Sequence, residues 1–297
     1  MNFYVSWYPG DPYYPLYDLD CALLISVSSV SKSWTINNFP KLPQHLMIDS
    51  GGFRFATTSN HIYMPKKNLE RQLAIIADSG IPSIINALDY PILDSNISSN
   101  EKDHKIHQTI AYAYELKNLI TKKNLSENIT PMAIIQGDTI DSICHCAYEL
   151  KSIGFSLYGL GSLALIRDFQ RIMDRVKSVI PIIGADSLHV FGVNAINTVL
   201  ALKKIGIHSV DSARAAKAAA YNEVFYSKPF RRFGIFDSTT PNIKGRIPIN
   251  KRLAYPLPCD CPVCKNDPIK ILGVGKRENI RSRALHNYFH LKQTFCE

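Results

Sequence analysis

The chain has 297 residues, 46% of them hydrophobic and 20% charged, and carries a formal net charge of +9 from 34 Lys and Arg against 25 Asp and Glu. That length and composition suit one large globular domain or two smaller ones, and no run of roughly 18 apolar residues suggests a membrane span. The excess of positive charge points to a polyanionic partner, nucleic acid ahead of an anionic membrane.

Short β-rich apolar runs alternate with helix-like segments. Strands are expected at Phe3 to Trp7, Ala22 to Ser28, His45 to Asp49, Ser83 to Asp89, Met132 to Gln136, Phe155 to Leu160, Leu188 to Val193 and His208 to Asp211. Helical spacing appears over Lys66 to Ser79, Lys102 to Lys123, Thr139 to Ser152, Leu165 to Ser178, Asn194 to Ile205 and Ala213 to Phe225. Pro9 to Asp20 and Val30 to Pro43 read as loops. Strands such as the Ser83-Ile84-Ile85 run lack polar alternation, as expected of strands buried on both faces. Eight strands alternating with helices predict an α/β protein built on a (β/α)8 TIM barrel, with an open doubly wound sheet as the alternative. The barrel is expected over 1–227, and a basic C-terminal subdomain over 228–297.

Polar residues recur where the predicted strands end: Asp49, Asp89, Gln136, Gly161-Ser162, Gly192 and Asp211. In a barrel these ends converge on one mouth, where active sites sit. A single Asp there is ordinarily a helix N-cap, and Asp211 before the alanine-rich segment invites that reading. Asp49-Ser50-Gly51-Gly52-Phe53 adds glycines that permit close backbone approach and a ring that can stack on a planar group. Asp89 and Gln136 suit the edge of a purine. Two carboxylates, Asp49 and Asp211, are the equipment for chemistry at an anomeric carbon: one attacks or stabilises positive charge and the other moves protons.

Cys259-Asp260-Cys261-Pro262-Val263-Cys264, with His286 following 22 residues later, supplies three thiolates and an imidazole, the closed donor set of a structural zinc. His290, one helical turn beyond His286, is a rival fourth ligand. An odd count of seven cysteines and an N-terminus that opens on a strand-like run, without a leader pattern, suggest a reducing, cytoplasmic setting. Cys21, Cys144, Cys146 and Cys296 read as ordinary thiols. Basic residues crowd the C-terminal part: Lys228, Arg231, Arg232, Lys244, Arg246, Lys251, Arg252, Lys265, Lys270, Lys276, Arg277, Arg281 and Arg283. Aromatic, Gly and Pro residues lie among them, so a phosphate-tracking surface is expected there.

In this order, Asp49-Ser50-Gly51-Gly52-Phe53, Asp89, Ile135-Gln136-Gly137, Leu160-Gly161-Ser162-Leu163, Phe191-Gly192-Val193, Val210-Asp211-Ser212, the cysteine cluster and His286-Asn287 resemble the tRNA-guanine transglycosylase superfamily. Its members exchange bases in queuosine and archaeosine synthesis, and it has DNA-modifying relatives. The resemblance implies Asp211 as nucleophile on C1′ of a guanosine nucleotide and Asp49 as general acid and base. It implies Phe53 stacked on the base, and Asp89, Gln136, Gly161, Ser162, Leu163 and Gly192 lining the base site. It implies His286 as the fourth ligand of a structural Zn2+ with Cys259, Cys261 and Cys264. A free guanine or 7-deazaguanine would be the second substrate, and a homodimer is expected on the same ground.

The sequence also departs from the family pattern. Arg54 stands where a Gln is common, and Ser162 where Gly-Gly is usual. Asp211-Ser212-Ala213 resembles the archaeal and DNA-acting branches. The chain as given continues only 11 residues past His286, short of the appended RNA-binding domains of archaeal enzymes. Together these favour a DNA-guanine transglycosylase over a tRNA enzyme. A catalytically silent zinc paralogue that only binds nucleic acid is the alternative of a different class, and the presence of both carboxylates weighs against it.

Overall fold

The computed structural model describes residues 1–56, 64–92, 96–125, 127–235 and 252–296. Lys244, Arg246 and Lys251 of the expected basic surface lie outside the described residues. Eight strands, β1 (Asn2–Ser6), β2 (Ala22–Ser26), β3 (His45–Asp49), β4 (Ser83–Asn86), β5 (Ile129–Ile135), β6 (Leu157–Leu160), β7 (Leu188–Val190) and β8 (Ser209–Ser212), form a closed parallel barrel in sequence order. Every neighbouring pair is parallel, and β1 pairs with β8 through Asn2↔Ser209, Phe3↔Val210, Tyr4↔Asp211 and Val5↔Ser212. The open-sheet alternative is thereby excluded. Tyr4, Ala22, Leu24, Met47, Met132, Ile134 and Leu157 pack together with Ile84 and Phe191 as one apolar cluster. Their neighbours along the chain, such as Val5, Leu23, Leu46, Ile48, Ala133 and Ile135, are buried too. This double burial explains why the strands read as continuous apolar runs.

The intervening helices are α1 (Gly52–Ala56), α2 (Pro65–Ile76), α3 (Ser99–Lys123), α4 (Ile140–Ile153), α5 (Phe169–Ile183) and α6 (Ile196–Lys204). Local chemistry sets several of their ends. Ser98 caps α3 by accepting from the Glu101 N–H, Thr139 and Ser142 form a capping box at α4, and Gly154 ends α4 at φ 85°. The helix expected from Leu165 starts at Phe169 instead, because Asp168 accepts from the Arg171 N–H at 2.6 Å and acts as its N-cap. The segments expected as loops each contain one 3-10 turn, Tyr14–Leu16 and Ile36–Asn38.

By packing, the chain divides into two compact units: Met1–Pro9 with Leu19–Ser212, which holds the barrel, and Gly10–Asp18 with Ala213–Glu297. The second unit contains α7 (Arg214–Ala220), β9 (Glu223–Ser227), β10 (Phe230–Ile235), β11 (Arg252–Leu253), α8 (Pro262–Asn266) and α9 (Arg277–Cys296). The helix expected over Ala213 to Phe225 is shorter than its composition suggests. Asn222 takes a left-handed conformation at φ 58°, and the β-prone Val224-Phe225-Tyr226 that follows enters a three-stranded sheet ordered β11-β10-β9. Segment 10–18 is tied to α9: Arg281 donates to the Gly10 carbonyl at 2.8 Å, Lys292 pairs with Asp18 at 2.6 Å, and Tyr288 donates its hydroxyl to Asp18.

Arg283 is not part of a phosphate-facing surface. It is fully buried, and its guanidinium donates to the carbonyls of Ala219, Ile271 and Gly273 and to Asn222 Oδ1 at 2.8–3.0 Å. Burial lowers its pKa to about 10, and it remains the one cation able to satisfy these four acceptors together. Arg283→Leu leaves them unpaired and is expected to destabilise the protein by about 3 kcal/mol or more. Arg283→Lys, which lacks the planar fork, is expected to recover less than half of the loss, both read from urea unfolding midpoints.

Candidate active site

The C-terminal ends of the barrel strands gather the predicted polar residues. A small cavity of about 100 Å³ is lined by Asp49, Phe53, Asp89, Gln136, Gly161, Ser162, Leu163 and Phe191, among others. Asp49 closes β3, and the turn after it aims polar groups back at the cavity: the Gly51 N–H donates to Asp49 Oδ2 at 3.0 Å and the Ser50 hydroxyl donates to Asp89 Oδ1 at 2.9 Å. Gln136 is buried and donates its Nε2 to Asp89 Oδ2 at 2.6 Å. Ser162 donates to Gln136 Oε1 and accepts from the Ile92 N–H at 3.1 Å. This network fixes which end of the Gln136 amide faces Asp89.

Two glycines are required by contact. A Cβ on Gly52 would sit 2.4 Å from Asp89 Oδ1, and a Cβ on Gly161 would sit 2.4 Å from Gln136 Nε2. Ser162, standing where the family pattern has glycine, holds a φ of 55° at the cavity wall. Its two hydrogen bonds keep it there, the over-determination that strained backbone needs. Phe53 is half exposed at the rim.

The carboxylates differ in environment. Asp49 and Asp89 are open to the cavity but walled by protein. Desolvation raises both pKa values, that of Asp89 to about 7, with the Asp49 charge as the second cause there. Hydrogen bonds from Ser50 and Gln136 pull Asp89 back only in part. Asp211 does not line this cavity. It is held by both oxygens: the Gly192 N–H donates to Oδ1 at 3.0 Å and the Ser6 hydroxyl to Oδ2 at 3.1 Å. Asp211 lies within β8 rather than at the start of α7, so its carboxylate caps no helix. Ser6 and the fully buried His189, whose Nε2 lies 3.6 Å from Asp211 Oδ1, are neighbours that motif reading overlooks. The available signal was a polar residue at the end of β1 and one in the middle of β7.

The zinc ligand set assembles in the second unit. Donor atoms of Cys259, Cys261, Cys264 and His286 all lie within 4.8 Å of one another, the one such group of three or more among the described residues. His286 Nδ1 is 3.7, 3.4 and 3.4 Å from the three sulfurs, and its Nε2 is 2.8 Å from the Phe225 carbonyl oxygen. A carbonyl only accepts, so Nε2 carries the proton and Nδ1 presents its lone pair to the thiols, the arrangement of a metal-bound histidine. His290, the rival, faces Cys259 alone. Its Nδ1 accepts the Ser227 N–H at 3.1 Å, which leaves Nε2–H to donate to Cys259 Sγ at 3.1 Å.

Hydrogen bonds from Cys261 and Cys264 pull the Cys259 thiol far below the ordinary range. Their own thiols are pushed up, Cys261 to about 11 and Cys264 further, chiefly because they donate to Cys259. A metal binds thiolates rather than thiols, so loading the site would displace the protons these sulfurs share. These four side chains fit a zinc ion, and four protein donors leave no position for water, so the metal would act on structure.

The sequence matches the queuine tRNA-ribosyltransferase family over residues 22–297. The chain belongs to this family. It is a glycosyltransferase of the pentosyltransferase type that exchanges guanine in nucleic acid, and its cysteine cluster with His286 could bind a structural zinc, as in members of the family. A comparison with curated proteins returns no significant match. No helix among the described residues is long and apolar enough to cross a membrane.

Asp89 makes folding pH-dependent. Its pKa of about 7 lies above the ordinary carboxylate value of 3.8, so the folded protein binds more protons between them, and stability falls as pH rises from about 4 to 7. Asp89→Asn is expected to gain stability relative to wild type across that window and to hold a constant advantage above it, read from denaturant midpoints at pH 4.5, 6 and 8. Cys261→Ser is expected to lose bound zinc and to unfold at a lower temperature. Metal analysis and melting curves check this, and an unchanged melt with complete metal loss would contradict it.

Proposed function

We propose that Asp211 is the nucleophile of a double displacement that replaces guanine in a polynucleotide by a 7-deazaguanine base. One oxygen of Asp211 attacks C1′, the glycosidic bond breaks, and Asp49 protonates the departing base. The incoming base then gives its ring proton to Asp49, its nitrogen attacks C1′, and the Asp211 ester bond breaks to restore the carboxylate. Asp49 suits the proton work because desolvation raises its pKa. Asp211 suits attack because donors on both oxygens fix its orientation. The single observation that carries the reading is this division of environments between two carboxylates.

In the same reading the base enters the cavity of about 100 Å³ edge first. Asp89 accepts from its donor edge, while Gln136 and the backbone of Gly161, Ser162 and Leu163 supply the remaining contacts, with Gly192 alongside. Phe53 stacks on the base at the rim, which requires the target nucleotide to leave its stack. DNA is the preferred polymer, on the strength of Arg54, Ser162 and the Asp211-Ser212-Ala213 triplet. A tRNA substrate with the same mechanism is the second reading, favoured by the family's description. A homodimer and a cytosolic setting accompany either.

Incubation with radiolabelled guanine and, side by side, tRNA, duplex DNA and single-stranded DNA tests the proposal. Label is expected in DNA, and Asp211→Ala is expected to abolish it while melting temperature and zinc content stay at wild-type values. Label in tRNA alone would reverse the choice of polymer. Full exchange by Asp211→Ala would overturn the assignment of the nucleophile.

A further inference from the structure

His189 stands in the middle of β7, fully buried, where a parallel barrel strand ordinarily carries an aliphatic side chain. Its ring packs edge-on against Phe191 at 4.3 Å and near Tyr4 at 6.1 Å, both members of the barrel cluster or packed on it. Nδ1 lies 2.8 Å from the Ser209 hydroxyl. Nε2 makes no hydrogen bond among the described residues and is aimed at Asp211 Oδ1, 3.6 Å away. A buried polar atom without a partner asks for an explanation. The tautomer follows from the neighbours. A lone pair facing a carboxylate oxygen is repelled, so in the singly protonated ring the proton sits on Nε2 and Nδ1 accepts from Ser209.

At 3.6 Å the contact is too long for a hydrogen bond, but such contacts at active sites tighten once substrate is bound. The two oxygens of Asp211 are unequal. Oδ1 receives the rigid Gly192 N–H and faces His189, whereas Oδ2 receives one serine hydroxyl that can rotate away. Oδ2 is thus the oxygen free to bond C1′, and Oδ1 becomes the ester carbonyl. When the incoming base nitrogen bonds C1′, the Oδ2–C1′ pair returns to Asp211, the base proton passes to Asp49, and negative charge spreads onto Oδ1. A donor at Oδ1 favours that departure and does nothing for the attack.

Resting on the assignment of Asp211 as nucleophile, we propose that His189 is a positioning residue whose Nε2–H, oriented by Ser209, stabilises the Asp211 carboxylate as it leaves C1′ and so speeds release of the covalent intermediate.

The test uses the full-length protein and whichever polymer accepts guanine. Covalent protein–nucleic acid adduct is followed on denaturing gels through single-turnover formation and through release on addition of guanine. His189→Phe keeps an aromatic ring but has no donor, and is expected to slow release about tenfold, leave formation no slower, and raise the steady-state adduct. His189→Gln, which keeps an N–H within similar reach, is expected to restore release to within about threefold of wild type. Ser209→Ala, a small change that frees the tautomer, is expected to shift the adduct in the same direction as His189→Phe, and it serves if the latter does not fold. Formation and release slowed alike, with an unchanged adduct fraction, would make His189 merely structural and overturn the inference while leaving Asp211 in its role. Exchange by wild type without any adduct would instead overturn the nucleophile itself, and the inference with it.

Discussion

Closure of the barrel by β1 on β8 is the constraint on which the site depends. A parallel pair at this seam sets Tyr4 beside Asp211, and from there the chain brings Ser6 to Asp211 across 205 residues of sequence. Neither strand could hold the carboxylate alone. A one-residue slip at the seam would turn Asp211 to the opposite face and leave a buried charge without donors. Once the seam is fixed, the other strand ends follow in order around the mouth. Asp49, Gln136 and Gly161 then need no special device to meet, because the barrel geometry delivers them.

Electrostatics divides labour among groups that the geometry has brought close. Desolvation raises both Asp49 and Asp89; the Asp49 charge adds to the cost of ionising Asp89, and the Asp211 charge adds to that of Asp49. Ser50 and Gln136 moderate this by donating to Asp89, and Ser162 in turn holds Gln136 in the orientation that can donate. The cost is stability: the same desolvation that prepares Asp89 works against the folded state as the pH rises toward 7.

The sequence announced the barrel because double burial writes itself as apolar runs, and the eight expected strands coincide in order with the eight observed. It announced Asp49, Asp89, Gln136 and Ser162 because each sits at a strand end where only a special reason keeps a polar residue. It did not announce Ser6, a small hydroxyl at the end of β1, or His189, the one polar residue of β7, since neither has a spacing signature and each gains meaning only when the barrel places it beside Asp211. Helix boundaries misled where a single residue overruled composition: the Asp168 side chain caps α5, and the left-handed backbone of Asn222 follows the end of α7. The basic C-terminal run also contained two kinds of cation. Charge counting could not separate Arg283, buried among four acceptors, from exposed Lys228, Arg231 or Arg277.

The second unit shows why the metal ligands and the hydrophobic core cannot be treated apart. Cys261 and Cys264 are buried in the same cluster as Val224, Tyr226, Ile235, Leu253 and Ile271, and Phe225 supplies the carbonyl that orients His286. A sheet of three short strands, two short helices and the 20-residue α9 make a small unit, and units of that size commonly rely on a metal or a disulfide for stability. The thiols are free, so cross-linking falls to the ion. His290 completes the logic from outside the four. Its Nε2 lies 3.1 Å from Sγ of Cys259, the least buried of the three cysteines, so it supports that ligand from the side. The rival ligand of the sequence reading is better understood as a guard of the ligand set.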